Sequence, residues 1–414
     1  AMRWGFAREV GIFDAWDAIG VEKSVNKMKE ENRKVPAWVE QMLAAGRKSF
    51  YEIKNGEMTY WCPVDKKPVV YKQNKKVLNL NLYKNTKNTI KRDWSASIHD
   101  IGDGVLNVEF HSIFVPAFNP LDRSMNDIMK HALDLLETGK YKGLVVGHQG
   151  KNWCAGANVN DFKMAIDSGN LQVMDAGVKE MQDVTQRIRH SKYPVVTCPF
   201  NLALGGGFEF YACSSHTVAS GELYAGLVEA IQGLIPGAGG HLRVLLNLLE
   251  NNGAKNVNMN IGRQAIQLIN PMTVSRSATD ALKKGWLRKS DTIVMNSEHL
   301  LAIAKSKVLE MSDAGYKPPK YRDDLTLPGM TLRTMASVGA KAMKAQGKIS
   351  DHDELVNSKS AYVLSGGNKG GIMSKVDEQH VLDIERECFM SLAGEPKTQA
   401  RIAHFLKTGK PLRN

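Results

Sequence analysis

Three stretches of the chain place carboxylates, glycines and small side chains where they could do chemistry. The first is Trp153-Cys154-Ala155-Gly156-Ala157-Asn158-Val159, whose small side chains leave amide N–H groups open to a ligand. The second, Ala203-Leu204-Gly205-Gly206-Gly207-Phe208-Glu209, sets three glycines ahead of a helix spanning Phe208 to Cys213. Free amides and the positive end of the helix dipole then point the same way, which suits a developing negative charge. In the third, Glu229 precedes the rigid turn Gly233-Leu234-Ile235-Pro236-Gly237-Ala238-Gly239-Gly240 among Leu227, Val228, Ala230 and Ile231. A carboxylate in such apolar company loses solvation, which raises its pKa toward an acid/base value. Taken singly, Glu209 also reads as a first-turn carboxylate placed for the dipole, and Glu229 as a surface charge beside a turn.

These segments are held by elements that alternate between strand and helix, the pattern of a mostly parallel sheet. Val105 to Phe110 predicts a strand, Met125, Ile128, Ala132 and Leu135 one helix face, and Gly143 to Gly147 a short buried strand. Met174, Val178, Met181, Thr185 and Ile188 mark a second helix, and Tyr193 to Thr197 returns to the sheet. Residues 1–62 read as a small helical unit and 63–95 as a polar, lysine-rich linker or arm. The α/β part occupies 96–330, and 331–414 is again helical, with helices over Leu332 to Gln346 and Glu378 to Leu392. Between them the run Gly366-Gly367-Asn368-Lys369-Gly370-Gly371 lacks P-loop spacing and reads as a flexible loop. Gly102-Asp103-Gly104 lacks the third glycine of a dinucleotide fingerprint, so no nucleotide-binding Rossmann half is expected.

Composition narrows the function classes. The chain has 414 residues, 43% hydrophobic and 24% charged, which is the make-up of a folded protein of roughly two to three domains. No apolar run approaches the ~18 residues of a membrane span, and the start lacks a signal-peptide layout, so membrane insertion is not expected and a cytoplasmic location is. Cys62, Cys154, Cys198, Cys213 and Cys388 form no C-x-x-C pair, and the histidines form no H-E-x-x-H, so neither disulfides nor a metal is expected. The net charge of +12 favours an anionic partner. The lysines between Lys66 and Lys91 have no interleaved aromatic motif, which makes a solvated face the better reading than a nucleic-acid patch.

Read together, the three segments resemble the enoyl-CoA hydratase (crotonase) superfamily, whose pattern is A-G-A-D/N, then G-G-G-x-E, then E-x-x-x-G-x-x-P-G-x-G-G. They stand in that order as Ala155 to Asn158, Gly205 to Glu209, and Glu229 to Gly240. The resemblance implies an α/β fold with a crotonase-like ββα spiral core and helical flanks. It also implies that the amides of Ala157 and Gly206 hold a thioester oxygen and that Glu209 and Glu229 handle one water. Ala155, Gly156, Ala157 and Gly205 would line the coenzyme A side, with the Ala155 carbonyl facing the adenine. Coenzyme A enters only as part of an acyl-CoA substrate, and no further cofactor is implied.

Beyond that core, Arg3 to Gly11 with Phe13, Trp16, Asp17 and Gly20 looks like part of the helical C-terminal domain of 3-hydroxyacyl-CoA dehydrogenases. The tail, from Ile349-Ser350-Asp351 through Val376 to Gln379 and Gly394 to Arg401, is similar to bacterial two-function fatty-acid oxidation proteins. NAD chemistry would then belong to a domain upstream of Ala1 and is not expected of this chain. Partners in keeping with the resemblance are a second copy of the chain or a thiolase. Asn158 stands where many relatives carry Asp, a tolerated capping change. The Asn-rich stretch from Leu246 to Pro271 is longer than the usual connection. Both retained carboxylates favour hydration of trans-2-enoyl-CoA over double-bond isomerisation, which needs only the position of Glu229. A noncatalytic binding module, motivated by the charge, is the reading from another class.

Overall fold

The computed structural model describes residues 2–6, 8 and 10–414, apart from the side chains of Arg3 and Trp4. Ala7 and Glu9, within the Arg3 to Gly11 motif, lie outside the described residues. The chain divides into two compact units, residues 1–89 and 90–414.

The first unit begins with helices α1 (Met2–Phe6), α2 (Ile12–Ile19), α3 (Val21–Glu30) and α4 (Ala37–Ala44). It then departs from the expected helical segment and linker. Strands β1 (Tyr51–Lys54), β2 (Glu57–Cys62) and β3 (Lys67–Val70) form an antiparallel meander. The physical reason is the turn at Asn55-Gly56, where φ is +52° and +82°, as a tight two-residue hairpin requires. A second positive φ at Lys66 closes the next turn. The sheet packs on a core of Val21, Val25, Val39, Met42, Phe50 and Trp61. Asp17 on α2 accepts the Phe50 and Tyr51 amides at 2.6 and 2.9 Å, tying helix to strand.

In the second unit the strands are β4 (Thr89–Arg92), β5 (Ala96–Asp100), β6 (Val105–Phe110), β7 (Gly143–Val146) and β8 (Val195–Thr197). They continue with β9 (Asn201–Leu204), β10 (His216–Ser220), β11 (Leu223–Gly226), β12 (Thr292–Val294), β13 (Leu325–Leu327) and β14 (Gly371–Val376). Helices α5 (Arg123–Glu137), α6 (Val159–Asp167), α7 (Leu171–Arg189), α8 (Gly206–Ala212), α9 (Gly240–Asn252) and α10 (Met259–Ile269) alternate with them. They are followed by α11 (Ala278–Lys284), α12 (Leu300–Asp313), α13 (Met330–Ala345), α14 (Asp351–Leu364), α15 (Glu378–Ala393) and α16 (Pro396–Thr408). One seven-stranded sheet runs β12-β10-β8-β7-β6-β5-β4, parallel from β12 to β6. Every residue of β6, β7 and β8 is buried, as a sheet covered on both faces demands.

A second, small parallel pair, β9 with β11, builds the site layer. Single bridges join Cys154 to Ala203 and Leu121 to Ala157, so three distant segments run side by side. The glycine run expected as a flexible loop is an ordered short helix over Gly367–Lys369 leading into β14. It is fixed because the Gly329 amide donates to the Ser365 carbonyl and β14 pairs with β13. The Asn-rich stretch is not a loose insertion either. Asn258 caps α10 by accepting from the Ile261 amide, and Asn251 and Asn252 donate to the carbonyls of Leu287 and Leu248.

Candidate active site

The glycine turn after β9 has a separate reason for each of its small residues. Gly205 sits at φ +53°, and a Cβ there would stand 2.7 Å from Glu229 Oε1. A Cβ on Gly207 would overlap the Cys154 carbonyl oxygen. Gly206 opens α8, so its N–H has no acceptor within the helix. A Cβ on Gly206 would lie 3.6 Å from the Ala157 amide nitrogen, which brings the two expected oxyanion donors to one place.

Ala157 is held there by the bridge to Leu121. That bridge uses the amides on either side of it, Leu121 to the Gly156 carbonyl at 2.8 Å and Asn158 to the Leu121 carbonyl at 2.9 Å. The Ala157 N–H is therefore left outside the ladder. Ala155 is tied by its own amide to the Phe118 carbonyl at 2.9 Å, and Gly156 at φ +103° makes the turn between them. Asn158 caps α6 by accepting from the Asn160 amide.

Both glutamates reach this turn. Glu209 is buried, and its Oε1 accepts the amides of Ala238 at 2.8 Å and Gly240 at 2.7 Å. Burial pushes its pKa well above the usual carboxylate range, and the charges of Glu229 and Glu385 add to the push, while the two amides oppose it. Glu229 opens the short helix Glu229–Gln232, and its Oε2 is buried with no hydrogen-bond partner. Burial first, and Glu385 second, push its pKa up to about 7. All seven residues named from the sequence, Ala155, Gly156, Ala157, Gly205, Gly206, Glu209 and Glu229, thus fall in one place. A small cavity of about 10 Å³ adjoins Glu229, lined among others by Leu227, Ile235, Asn270, Asn357 and Ser360.

The sequence reading missed three polar residues on the far side of the loop. Glu385 of α15, His241 at the start of α9 and Ser360 of α14 are all buried and bonded in series. The signal was present, since Glu385 interrupts the apolar stripe of Val381, Leu382, Cys388, Phe389 and Leu392. A lone carboxylate on a core face requires a buried partner. Among the described residues no group of His, Cys, Asp or Glu side chains converges to hold a metal, all five cysteines are free, and no helix is long and apolar enough to cross a membrane.

A covered, mostly parallel sheet with a second small sheet carrying a glycine turn and two glutamates defines a crotonase-type α/β fold. Known structures agree. A carnitinyl-CoA dehydratase from Mycobacterium thermoresistibile superposes with a TM-score of 0.55 at 14% identity, over 77% of this chain and 91% of that one. An enoyl-CoA hydratase from Rhodobacter sphaeroides 2.4.1 gives 0.54 at 16% identity, over 77% and 92%. Residues 115–253 match the enoyl-CoA hydratase/isomerase family.

Among curated proteins, a probable 3-hydroxyacyl-CoA dehydrogenase of Bacillus subtilis (strain 168) is 38% identical over all 414 residues, which make up 51% of its length. A putative fatty acid oxidation complex trifunctional enzyme of Rickettsia felis is 28% identical over 305 residues, 73% of this chain and 38% of that protein. The chain thus spans about half or less of the length of these relatives.

Proposed function

We propose that this chain adds water across the double bond of trans-2-enoyl-CoA to give 3-hydroxyacyl-CoA. The observation that carries the reading is the meeting of buried Glu209 and half-buried Glu229 with two neighbouring amides, that of Ala157 outside its ladder and that of Gly206 at the start of α8. The thioester oxygen binds between the Ala157 and Gly206 amides. Charge gathers on that oxygen as C2 and C3 react, and each such donor stabilises it by about 2.7–4 kcal/mol.

The proton bookkeeping follows from the surroundings of each carboxyl. The Ala238 and Gly240 amides hold the Glu209 carboxyl in place, and Glu209 takes the proton from water as the oxygen attacks C3. Glu229, whose Oε2 has no hydrogen-bond partner, delivers a proton to C2. Isomerisation, the other reaction of the family, would not need Glu209. Ala155 presents its carbonyl toward the adenine of the coenzyme, and no other cofactor takes part. The product is a 3-hydroxyacyl thioester, the compound class for which the Bacillus subtilis relative is named.

The test is the loss of conjugated-thioester absorbance when the chain meets crotonyl-CoA and a longer trans-2-enoyl-CoA. Wild type should turn both over, and Glu209→Gln and Glu229→Gln should each slow the reaction by about 10²–10⁴-fold. Turnover that survives Glu209→Gln would favour isomerisation, and no turnover with either thioester would refute the reading.

A further inference from the structure

The loop from Ala238 to His241 is gripped from two sides by carboxylates on different helices. Its amides alternate: Ala238 and Gly240 donate to Glu209, whereas Gly239 donates to Glu385 Oε1 at 2.6 Å and His241 to Glu385 Oε2 at 2.9 Å. Four consecutive N–H groups are therefore shared between α8 and α15. Gly239 caps α9 at φ +105° and Gly240 and His241 open that helix, so these amides have no acceptor within it and the two carboxylates satisfy them. Displacing Glu385 would release the loop that orients Glu209.

The grip continues into α14. His241 Nδ1 lies 2.8 Å from Glu385 Oε2, and His241 Nε2 lies 3.0 Å from Ser360 Oγ. Exposure is 0% for Glu385 and His241 and 1% for Ser360, so no solvent competes for these bonds. With its proton on Nδ1 the ring donates to Glu385 and accepts the Ser360 hydroxyl proton. Ser360 also lines the cavity that Glu229 lines. The array thus touches the environment of both glutamates, through the loop for Glu209 and through the cavity wall for Glu229.

We propose that Glu385, His241 and Ser360 act as positioning residues for the acid–base pair, holding the Ala238–His241 loop against Glu209 and setting the electrostatic field at Glu229. The inference rests on the hydratase reading for its kinetic consequence but not for its electrostatic one. Glu385 adds to the upward push on both glutamates, so its removal lets Glu229 titrate at lower pH. The charges facing Glu229 are Glu209 from α8 and Glu385 from α15. Beside its turn lie Arg401, which donates to the Ala230 carbonyl and pairs with Asp353, and His352, bonded to Thr398.

The test compares the full chain with Glu385→Gln, Ser360→Ala and Ser360→Thr. Two readouts are used: steady-state hydration across pH, and titration of the glutamate carboxyls by ¹³C NMR, which needs no turnover. Glu385→Gln should lower kcat about a hundredfold with KM within about twofold, and should move the Glu229 titration to lower pH. Ser360→Ala, which keeps the Glu385 clamp and should fold, is expected to lower kcat about tenfold, with Ser360→Thr restoring it.

If Ser360→Ala matches wild type in kcat, or if the Glu229 titration stays put in a folded Glu385→Gln, the proposal is overturned and the array is scaffold alone. A wild type that titrates as described but hydrates nothing would sink the hydratase reading while leaving the electrostatic inference supported. A shifted Glu229 titration together with a lowered kcat supports both.

Discussion

Glu229 carries an energetic signature that separates its role from that of an ordinary buried carboxyl. Its pKa in the folded chain, about 7, lies above the ordinary value near 4.3 for an unfolded glutamate. A group raised in this way stabilises the fold fully below its unfolded pKa and loses that contribution as pH rises through the folded one. Glu229→Gln removes the cost of burying a charge and leaves the low-pH state little changed. Its melting temperature relative to wild type should therefore be higher at about pH 8 than at about pH 5, as read by calorimetry at the two pH values. A difference that is the same at both would mean that Glu229 is solvated. The apolar company of Glu229 announced this desolvation in the sequence. The clamp on Glu209 was not legible there, because its donors are backbone amides, which carry no side-chain signature of the acceptor they meet.

At the scale of elements, α8 is a short helix whose placement depends on contact between backbones. Gly207 lies against the Cys154 carbonyl with no room for a methyl group. Gly207→Ala must push the turn away from the Ala155–Ala157 segment, and should cost about 1–3 kcal/mol of stability. Activity should fall by more than the stability loss explains, because the two oxyanion amides separate; denaturant midpoints and kcat measured on the same sample decide this. Strand β6 and helix α7 were readable because their period is local. The β9 and β11 pair escaped notice, since four-residue strands joined to partners more than 20 residues away leave no local pattern. The meander in the first unit was legible in principle, since Asn55-Gly56 between alternating strands is a strong hairpin signal.

Across the whole molecule, chemistry and the first unit are separable. Every residue of the candidate site comes from 90–414, whereas residues 1–89 have their own core. Phe50 is 4% exposed and lies 4.9–5.5 Å from the rings of Phe13, Trp16 and Trp38. Phe50→Ala should destabilise the first unit by about 3–5 kcal/mol in a calorimetric scan while hydration per folded molecule stays within about twofold. Sequence motifs located the site because glycines and carboxylates there are dictated by backbone geometry and chemistry. They did not show that α14 and α15 complete it, since Glu385 meets Gly239 across 146 positions of chain. The most direct measurement is turnover of a trans-2-enoyl-CoA in ¹⁸O-labelled water with the product analysed by mass spectrometry. The account predicts a thioester heavier by one labelled water, with the label on C3, and its loss in Glu209→Gln. A product of unchanged mass, or no product at all, would contradict it.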